Sequence, residues 1–331
     1  TGNTWDNFYS VGAGWIMSEE NFMRNQHVID YLKIKGSYGV LGNQNVGTEG
    51  GNYPAFPTLN SSNAIFGDNI ISSYAQAYLA TNLRWEKTKA WEVGFEMQMF
   101  NQRLHIEPTY YSKKTEDLIC YLESFMGAQD GLINSGSIRN RGFELTLETV
   151  NVKTRQFQWS TSFNIAFNRN RILGLVDGQN TLQSSVSWET RFNSQFPYIS
   201  QVGKPTGMMY GFIYDGTYKA EDFDDKGNLV SGVPSFKGNA MQPGDMKYRD
   251  MNGDGVIDDY DRTIIGCGQP LNTGGFGNNF NWKNFDLNIF FAWSYGNDVL
   301  NANGVITAIN ANGFKSWGNN TAAYPSTTDP K

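Results

Sequence analysis

AWEVGFEMQMFNQRLHIEPTYYSK, residues 90–113, holds two runs of strict alternation separated by a polar turn. A β-strand turns successive side chains to opposite faces. Trp91, Val93, Phe95, Met97 and Met99 therefore share one face, and Glu92, Gly94, Glu96 and Gln98 the other. Beyond Asn101 and Gln102, Leu104, Ile106, Pro108 and Tyr110 face one way, and Arg103, His105, Glu107 and Thr109 the other. The stretch predicts an antiparallel hairpin with one apolar and one polar surface.

The same rule sorts Phe143, Leu145 and Leu147 from Glu144, Thr146 and Glu148. It sorts Trp159, Thr161, Phe163, Ile165 and Phe167 from Ser160, Ser162, Asn164 and Asn168, and Leu287, Ile289, Phe291 and Trp293 from Asp286, Asn288 and Ser294. YSVGAGWIM (9–17) and YLKIKGSYGV (31–40) form a further pair, joined by the polar SEENFMRNQHVID. Such runs last about 10 to 13 residues, against about five or six for strands of soluble domains and about 9 to 11 for a tilted membrane strand. Eight long strands are expected, at 7–17, 31–41, 87–100, 103–115, 137–150, 156–169, 273–282 and 285–296.

The connections alternate in length. Brief turns fall near Asn101, at 152–156 and at 283–284, while 42–85, 116–136 and 170–272 are long. Outer-membrane barrels have this asymmetry, with short periplasmic turns and long extracellular loops. A strand that leaves near 169 must be answered by one that returns, and FGNNFNW (276–282) is that return. GMMYGFIYDGTY (207–218) is then one strand inside the 170–272 loop, and that loop belongs outside the cell.

Composition agrees. The chain has 331 residues, 36 of them Gly, with 15% aromatics, which favours many strands and turns over a helical bundle. A net charge of −6 leaves no basic stripe to displace phosphate counterions, so no nucleic-acid partner is expected. No run of 18 apolar residues is present to form a membrane helix, which leaves a β-barrel as the route across a bilayer. Cys120 and Cys267 lack zinc-type spacing and read as unpaired thiols, with a pair in an oxidising compartment as the alternative, and His27 and His105 are isolated. Trp85, Trp91, Tyr110 and Tyr111, near strand ends, read as interfacial girdles.

The long loop carries RDMNGDGVIDDYDRTIIG (249–266). With Asp250 as position 1, Asn252 falls at 3, Asp254 at 5, Gly255 at 6, Val256 at 7, Asp258 at 9 and Asp261 at 12, the spacing of an EF-hand-like calcium loop at 250–261. Side-chain oxygens at alternate positions converge on a hard cation, Gly255 permits the sharp turn, and the Val256 carbonyl supplies a backbone ligand. Asp261 is one methylene shorter than the usual Glu, which points to weak affinity. No long amphipathic helices flank the loop, so the expected role of calcium is structural: it neutralises Asp250, Asp254, Asp258 and Asp261 and pins a loop that is otherwise costly in conformational entropy. An Asp/Asn/Gly-rich turn that binds no ion is the plainer alternative.

Six blocks in order carry a family resemblance: YLKIKGSYGVLGNQN (31–45), NLRWEKTKAWEVGFEMQMFNQRL (82–104), INSGSIRNRGFELTLE (133–148), VGKPTGMMYGFIYDG (202–216), PGDMKYRDMNGDGVIDDYDRTIIG (243–266) and FDLNIFFAWSYGNDVLN (285–301). Together they resemble the SusC/RagA family of TonB-dependent outer-membrane transporters. The resemblance implies an all-β, antiparallel transmembrane barrel of about 22 strands, of which residues 1–331 supply about eight as a C-terminal-half fragment. It also implies a cell outer membrane location in a Gram-negative bacterium, with outer-membrane lipid around the barrel. The expected partners are a SusD-type lipoprotein and the TonB system, and the expected cargo an oligosaccharide or peptide. Plug, TonB-box and terminal-strand features are not found.

A second function stays open at this stage, a secreted calcium-dependent carbohydrate-binding β-sandwich, which would also account for the acidic loop and for the loop aromatics Tyr53, Phe56, Trp188, Phe192, Phe196 and Tyr198. Enzymatic chemistry is not expected. The paired carboxylates Asp224/Asp225 and Asp258/Asp259 are sequence neighbours that point apart on a strand, and no Ser/His/Asp, Cys/His or phosphate-loop pattern appears.

Overall fold

A computed structural model describes residues 5–43, 59–66, 69–76, 83–122, 131–184 and 197–301. Eight long strands make one antiparallel sheet in which every strand pairs with its sequence neighbour. They are β1 (Ser10–Ile16), β2 (Ile29–Asn43), β3 (Glu86–Met99), β4 (Leu104–Glu116), β5 (Ser137–Lys153), β6 (Phe157–Gly174), β7 (Asn272–Trp282) and β8 (Phe285–Tyr295). All eight lie where alternation places them, within a few residues at each end. The sheet belongs to the first of two compact units, residues 1–182, 201–206 and 270–296; the second comprises 183–200, 207–269 and 297–331.

Register turns the alternating pattern into two continuous surfaces. Pro108, Leu145, Ile165 and Gly274 stand opposite one another on β4, β5, β6 and β7, and Tyr110, Phe143 and Phe167 form the adjoining row. Phe280, Phe276, Leu287 and Phe291 continue this apolar face on β7 and β8. The other face carries Glu107, Thr146, Asn164 and Gly275 in one row, and Gln98, His105, Glu148 and Ser162 in another. Among the described residues no helix is long and apolar enough to cross a membrane.

The turns on one side are tight. Phe100, Asn101 and Gln102 all take positive φ near 60°, a conformation disfavoured for non-glycine residues. The Gln102 N–H donates to Asp30 at 2.8 Å and the Phe100 N–H to the Val28 carbonyl at 3.0 Å, which holds the turn. Lys283 and Asn284 alone join β7 to β8. On the opposite side the connections carry hairpins of their own, Leu59–Phe66 with Asn69–Gln76 and Ile119–Leu122 with Gly131–Asn134.

Gly274 shows why small residues recur in β7. A Cβ there would sit 2.2 Å from the Trp293 ring and 2.5 Å from the Asn164 carbonyl oxygen, which is backbone and has nowhere to move. The Trp293 ring instead lies over the glycine, and its Nε1–H donates to Asn272 at 3.0 Å. Gly274→Ala is expected to destabilise the sheet by about 1–3 kcal/mol, the usual cost of overpacking. A denaturant midpoint unchanged from wild type would contradict this packing.

In the second unit, residues 207–218 depart from expectation. They form two strands, Met208–Gly211 and Tyr214–Thr217, because the chain changes partner between them. The first pairs with Thr263–Cys267 and the second with Met246–Tyr248. Phe212, at the break, packs against Phe236 at 5.7 Å and Tyr248 at 5.3 Å. Alternation persists through such a switch and does not reveal it. Of the loop aromatics, Tyr198 lies on a short strand facing Met209; Tyr53, Phe56, Trp188, Phe192 and Phe196 lie outside the described residues.

Candidate functional site: a polar wall and an acidic loop

The polar face of the sheet is a charged wall. Glu92, Glu96, Glu107, Glu144 and Glu148 outnumber Lys33, Lys35 and Lys113 on strands β2 to β5. Lys35 donates to Glu107, although β3 runs between their strands. The row explains how: Gly94 stands opposite Lys35 on one side and Thr109 on the other, so no side chain blocks the lysine's path across β3. His105 approaches the same carboxylate at 3.9 Å, and Ser37 donates to Glu92 at 3.1 Å. Near the tight turns, Gln102, Arg103, His105, Glu148, Ser160 and Ser162 border a depression of about 260 Å³.

Tyr111 belongs to this wall, which corrects its reading as a girdle residue. Its neighbour Tyr110 faces the apolar side and packs on Trp91 at 5.5 Å, so a period of two sends Tyr111 to the polar side. There its ring covers Gly142, and its hydroxyl donates to Asn168 at 3.3 Å.

The acidic loop is organised by carboxylates that accept backbone N–H groups. Asp250 accepts from Gly253 at 2.5 Å and Gly255 at 2.8 Å; Asn252 accepts from Asp254 and Asp254 from Val256. Gly255 has φ +85°, which the turn requires of a residue without Cβ. Val256–Ile257 pairs in parallel with Ser235–Phe236, using the Gly255 and Ile257 carbonyls. Alternation leaves the Val256 carbonyl on the opposite side. Ile257 is completely buried.

Asp261 is also completely buried. It accepts from Met251 at 2.8 Å, Asn252 at 3.3 Å and Asp258 at 2.8 Å, and so ties the loop's first residues to its last. These donors, Asp258 foremost, outweigh burial and hold its carboxyl below the usual aspartate range; the Asp250 side chain adjoins it. Asp258 in turn caps the short turn Asp259–Asp261 by accepting from Tyr260 at 2.8 Å. The donor set is all hard oxygen, suited to calcium. Among the described residues no three Asp, Glu, His or Cys side chains converge as in a formed metal site.

The remainder of the second unit is a small aromatic core. Tyr218 is buried and donates to the Pro234 carbonyl at 2.6 Å. Burial, with the Asp222 and Asp245 carboxylates nearby, pushes its hydroxyl up to about 12. Asp224 accepts from Lys226 and Asn228 and so closes a turn, the structural use of that acidic pair. Cys120 and Cys267 are free thiols.

Comparison with known proteins agrees with this architecture. The family model described as TonB dependent receptor-like, beta-barrel matches residues 1–329. TonB-dependent receptor P3 of Formosa agariphila is 33% identical over 298 residues, covering 89% of this chain and 28% of that protein. TonB-dependent receptor SusC of Bacteroides thetaiotaomicron is 28% identical over 305 residues, 90% of this chain and 28% of its own length. Among solved structures, the RagAB peptide importer in its closed-closed state superposes with a TM-score of 0.66 at 25% identity, over 88% of this chain and 29% of that one. The chain thus spans under a third of the length of the relatives it matches.

Proposed function

The chain belongs to the TonB-dependent receptor β-barrel family and is of SusC/RagA type, and from this we propose that it forms part of the wall of an energy-coupled importer in the outer membrane of a Gram-negative bacterium. One observation carries the reading: an eight-stranded meander whose registered rows are apolar on one face and charged on the other. That is the arrangement a barrel needs to meet lipid outside and water or protein inside. A secreted sandwich does not follow from family membership, and the two open functions reduce to one.

In this reading the cargo is an oligosaccharide or a peptide, gathered with a SusD-type lipoprotein and moved with energy from the TonB system. The long connections of 44–85, 117–136 and 175–271 lie on the extracellular side. Support for a peptide cargo comes from the likeness to RagAB, a peptide importer. Affinity capture of the protein from native membranes tests the partnership, with a co-purifying surface lipoprotein expected. Recovery of the receptor alone under mild detergent would count against it.

The acidic loop is proposed as a calcium-pinned clamp. Asp250, Asn252, Asp254, Asp258, Asp261 and the Val256 carbonyl would hold the ion, whose double positive charge would offset half the charge of the four carboxylates. Millimolar calcium is expected to raise the protection of the 243–266 backbone against hydrogen exchange, and Asp250→Ala with Asp254→Ala is expected to remove that increment. Protection unaffected by calcium in the wild type would leave the loop as a turn network without an ion.

A further inference from the structure

The acidic loop carries a chemistry that its ligand spacing does not describe. Among the described residues Asn252 is the only asparagine followed by a glycine. In such a pair the glycine nitrogen can attack the asparagine amide carbon, because no Cβ stands beside the nucleophile, and asparagine is among the thermolabile residues. Both residues are exposed. Gly253 has φ +79°, and a Cβ built on it meets nothing within 4 Å, so the peptide lies open to water and to rearrangement. The pair also falls between strands, where no ladder holds its backbone.

Hydrogen bonds set the starting geometry. The Gly253 N–H donates to the Asp250 carboxylate at 2.5 Å, which leaves its nitrogen electron-rich. Asn252 Oδ1 accepts from the Asp254 N–H at 2.9 Å, and Asn252 Nδ2 donates to the Asp254 carboxylate at 3.1 Å. These two bonds restrain the amide, but both are exposed, and an exposed hydrogen bond exchanges readily with water.

We propose that Asn252 is a site of self-modification, deamidating through a cyclic imide with Gly253, and that calcium in the loop blocks the reaction. The Gly253 nitrogen bonds to Asn252 Cγ as the Cγ–Nδ2 bond breaks, and Nδ2 leaves as ammonia with the proton that Gly253 gives up. Water then opens the imide at either carbonyl, giving aspartate or isoaspartate at 252. Ring closure requires rotation about the Asn252 side chain and backbone. The block rests on the calcium reading above: an ion held by Asn252 Oδ1 together with the carboxylates and the Val256 carbonyl fixes both rotations. Isoaspartate adds a methylene to the backbone between the N–H groups of Met251 and Asn252, held by Asp261, and those of Gly253 and Gly255, held by Asp250. The two sets are pulled out of register, and a loop that loses its ion ages irreversibly.

Peptide mapping of detergent-purified protein, incubated at mildly alkaline pH with chelator or with calcium, tests the site. With chelator, the peptide containing Asn252 is expected to gain about 1 Da and to split into two isomers on reversed-phase separation, while Asn228, before Leu229, and Asn239, before Ala240, stay unchanged. If the ion-free loop alone reacts, 10 mM calcium slows the gain by about tenfold or more at the affinity of weak extracellular sites. Asn252→Gln, whose closure needs a six-membered ring, is expected to lose the gain while keeping an amide oxygen in the loop. Deamidation at Asn252 no faster than at Asn228 and Asn239 overturns the site, whatever calcium does to hydrogen exchange. Fast deamidation that calcium leaves unchanged, in a loop whose exchange calcium does protect, overturns the block. The same result in a loop whose exchange calcium does not touch sinks the clamp reading and leaves the modification site standing.

Discussion

Leu145→Arg is expected to cost about 2–4 kcal/mol and to abolish the compact, heat-modifiable form of the folded protein, whereas Thr146→Lys, one residue on, is tolerated. Leu145 lies between Pro108 and Ile165 in the middle of the apolar face, five steps or more from either end of β5. A charge there meets hydrocarbon, and the long arginine side chain must bend or drag in water to relieve it. Thr146 lies between Glu107 and Asn164 on the charged wall, where a lysine gains a carboxylate neighbour. Gel mobility with and without heating, and urea midpoints in lipid vesicles, compare the two. Equal effects from both substitutions would mean that the faces are assigned the wrong way round or that neither meets lipid.

Asp261→Ala is expected to release the acidic loop at a cost of roughly 3–5 kcal/mol to the second unit, with Asp261→Asn intermediate. Three backbone N–H groups lose the acceptor that the buried Asp261 carboxylate supplies, and an orphaned donor costs about 1–3 kcal/mol where water does not replace the acceptor, most fully at Asp258, the least exposed of the three. Hydrogen exchange at Met251, Asn252 and Asp258 reads this directly, and protection that survives the alanine would refute it. Acid acts on the same group. Its folded pKa is lowered, so its contribution is fully present above the ordinary aspartate value of about 3.9 and is lost as the pH falls through the depressed value. Protection is expected to be flat from pH 8 to 5 and to collapse only below about pH 4. A midpoint near neutrality would point to a different group.

Much of this was readable along the chain, for a physical reason that also sets the limit. Side-chain alternation is local: the facing of Phe143 is determined within its own strand, so eight strands and two faces follow from the residues alone. Loop parity follows as well, since a meander must return. Partner choice is not local. The single strand expected at 207–218 is two because Gly211 and Tyr214 pair with different strands, and the alternating pattern is the same in either case. Tyr111 was within reach of the rule, since Tyr110 and Tyr111 are adjacent and belong on opposite faces.

The acidic loop divides in the same way. Its ligand-type spacing is written in the sequence, and Asp261 reads there as a shortened and weakened position twelve. Only folding reveals the shorter side chain as a buried acceptor for three N–H groups, because Met251 and Asn252 come within reach of it only when the loop closes on itself. Strand count, facing, turn positions and family are all legible along the chain. Tertiary structure decided which charges meet: Lys35 with Glu107 across Gly94, 72 residues apart, and Arg139 against Arg171. Such pairs depend on register, and register is a cooperative sum over whole strands that no short stretch of sequence contains.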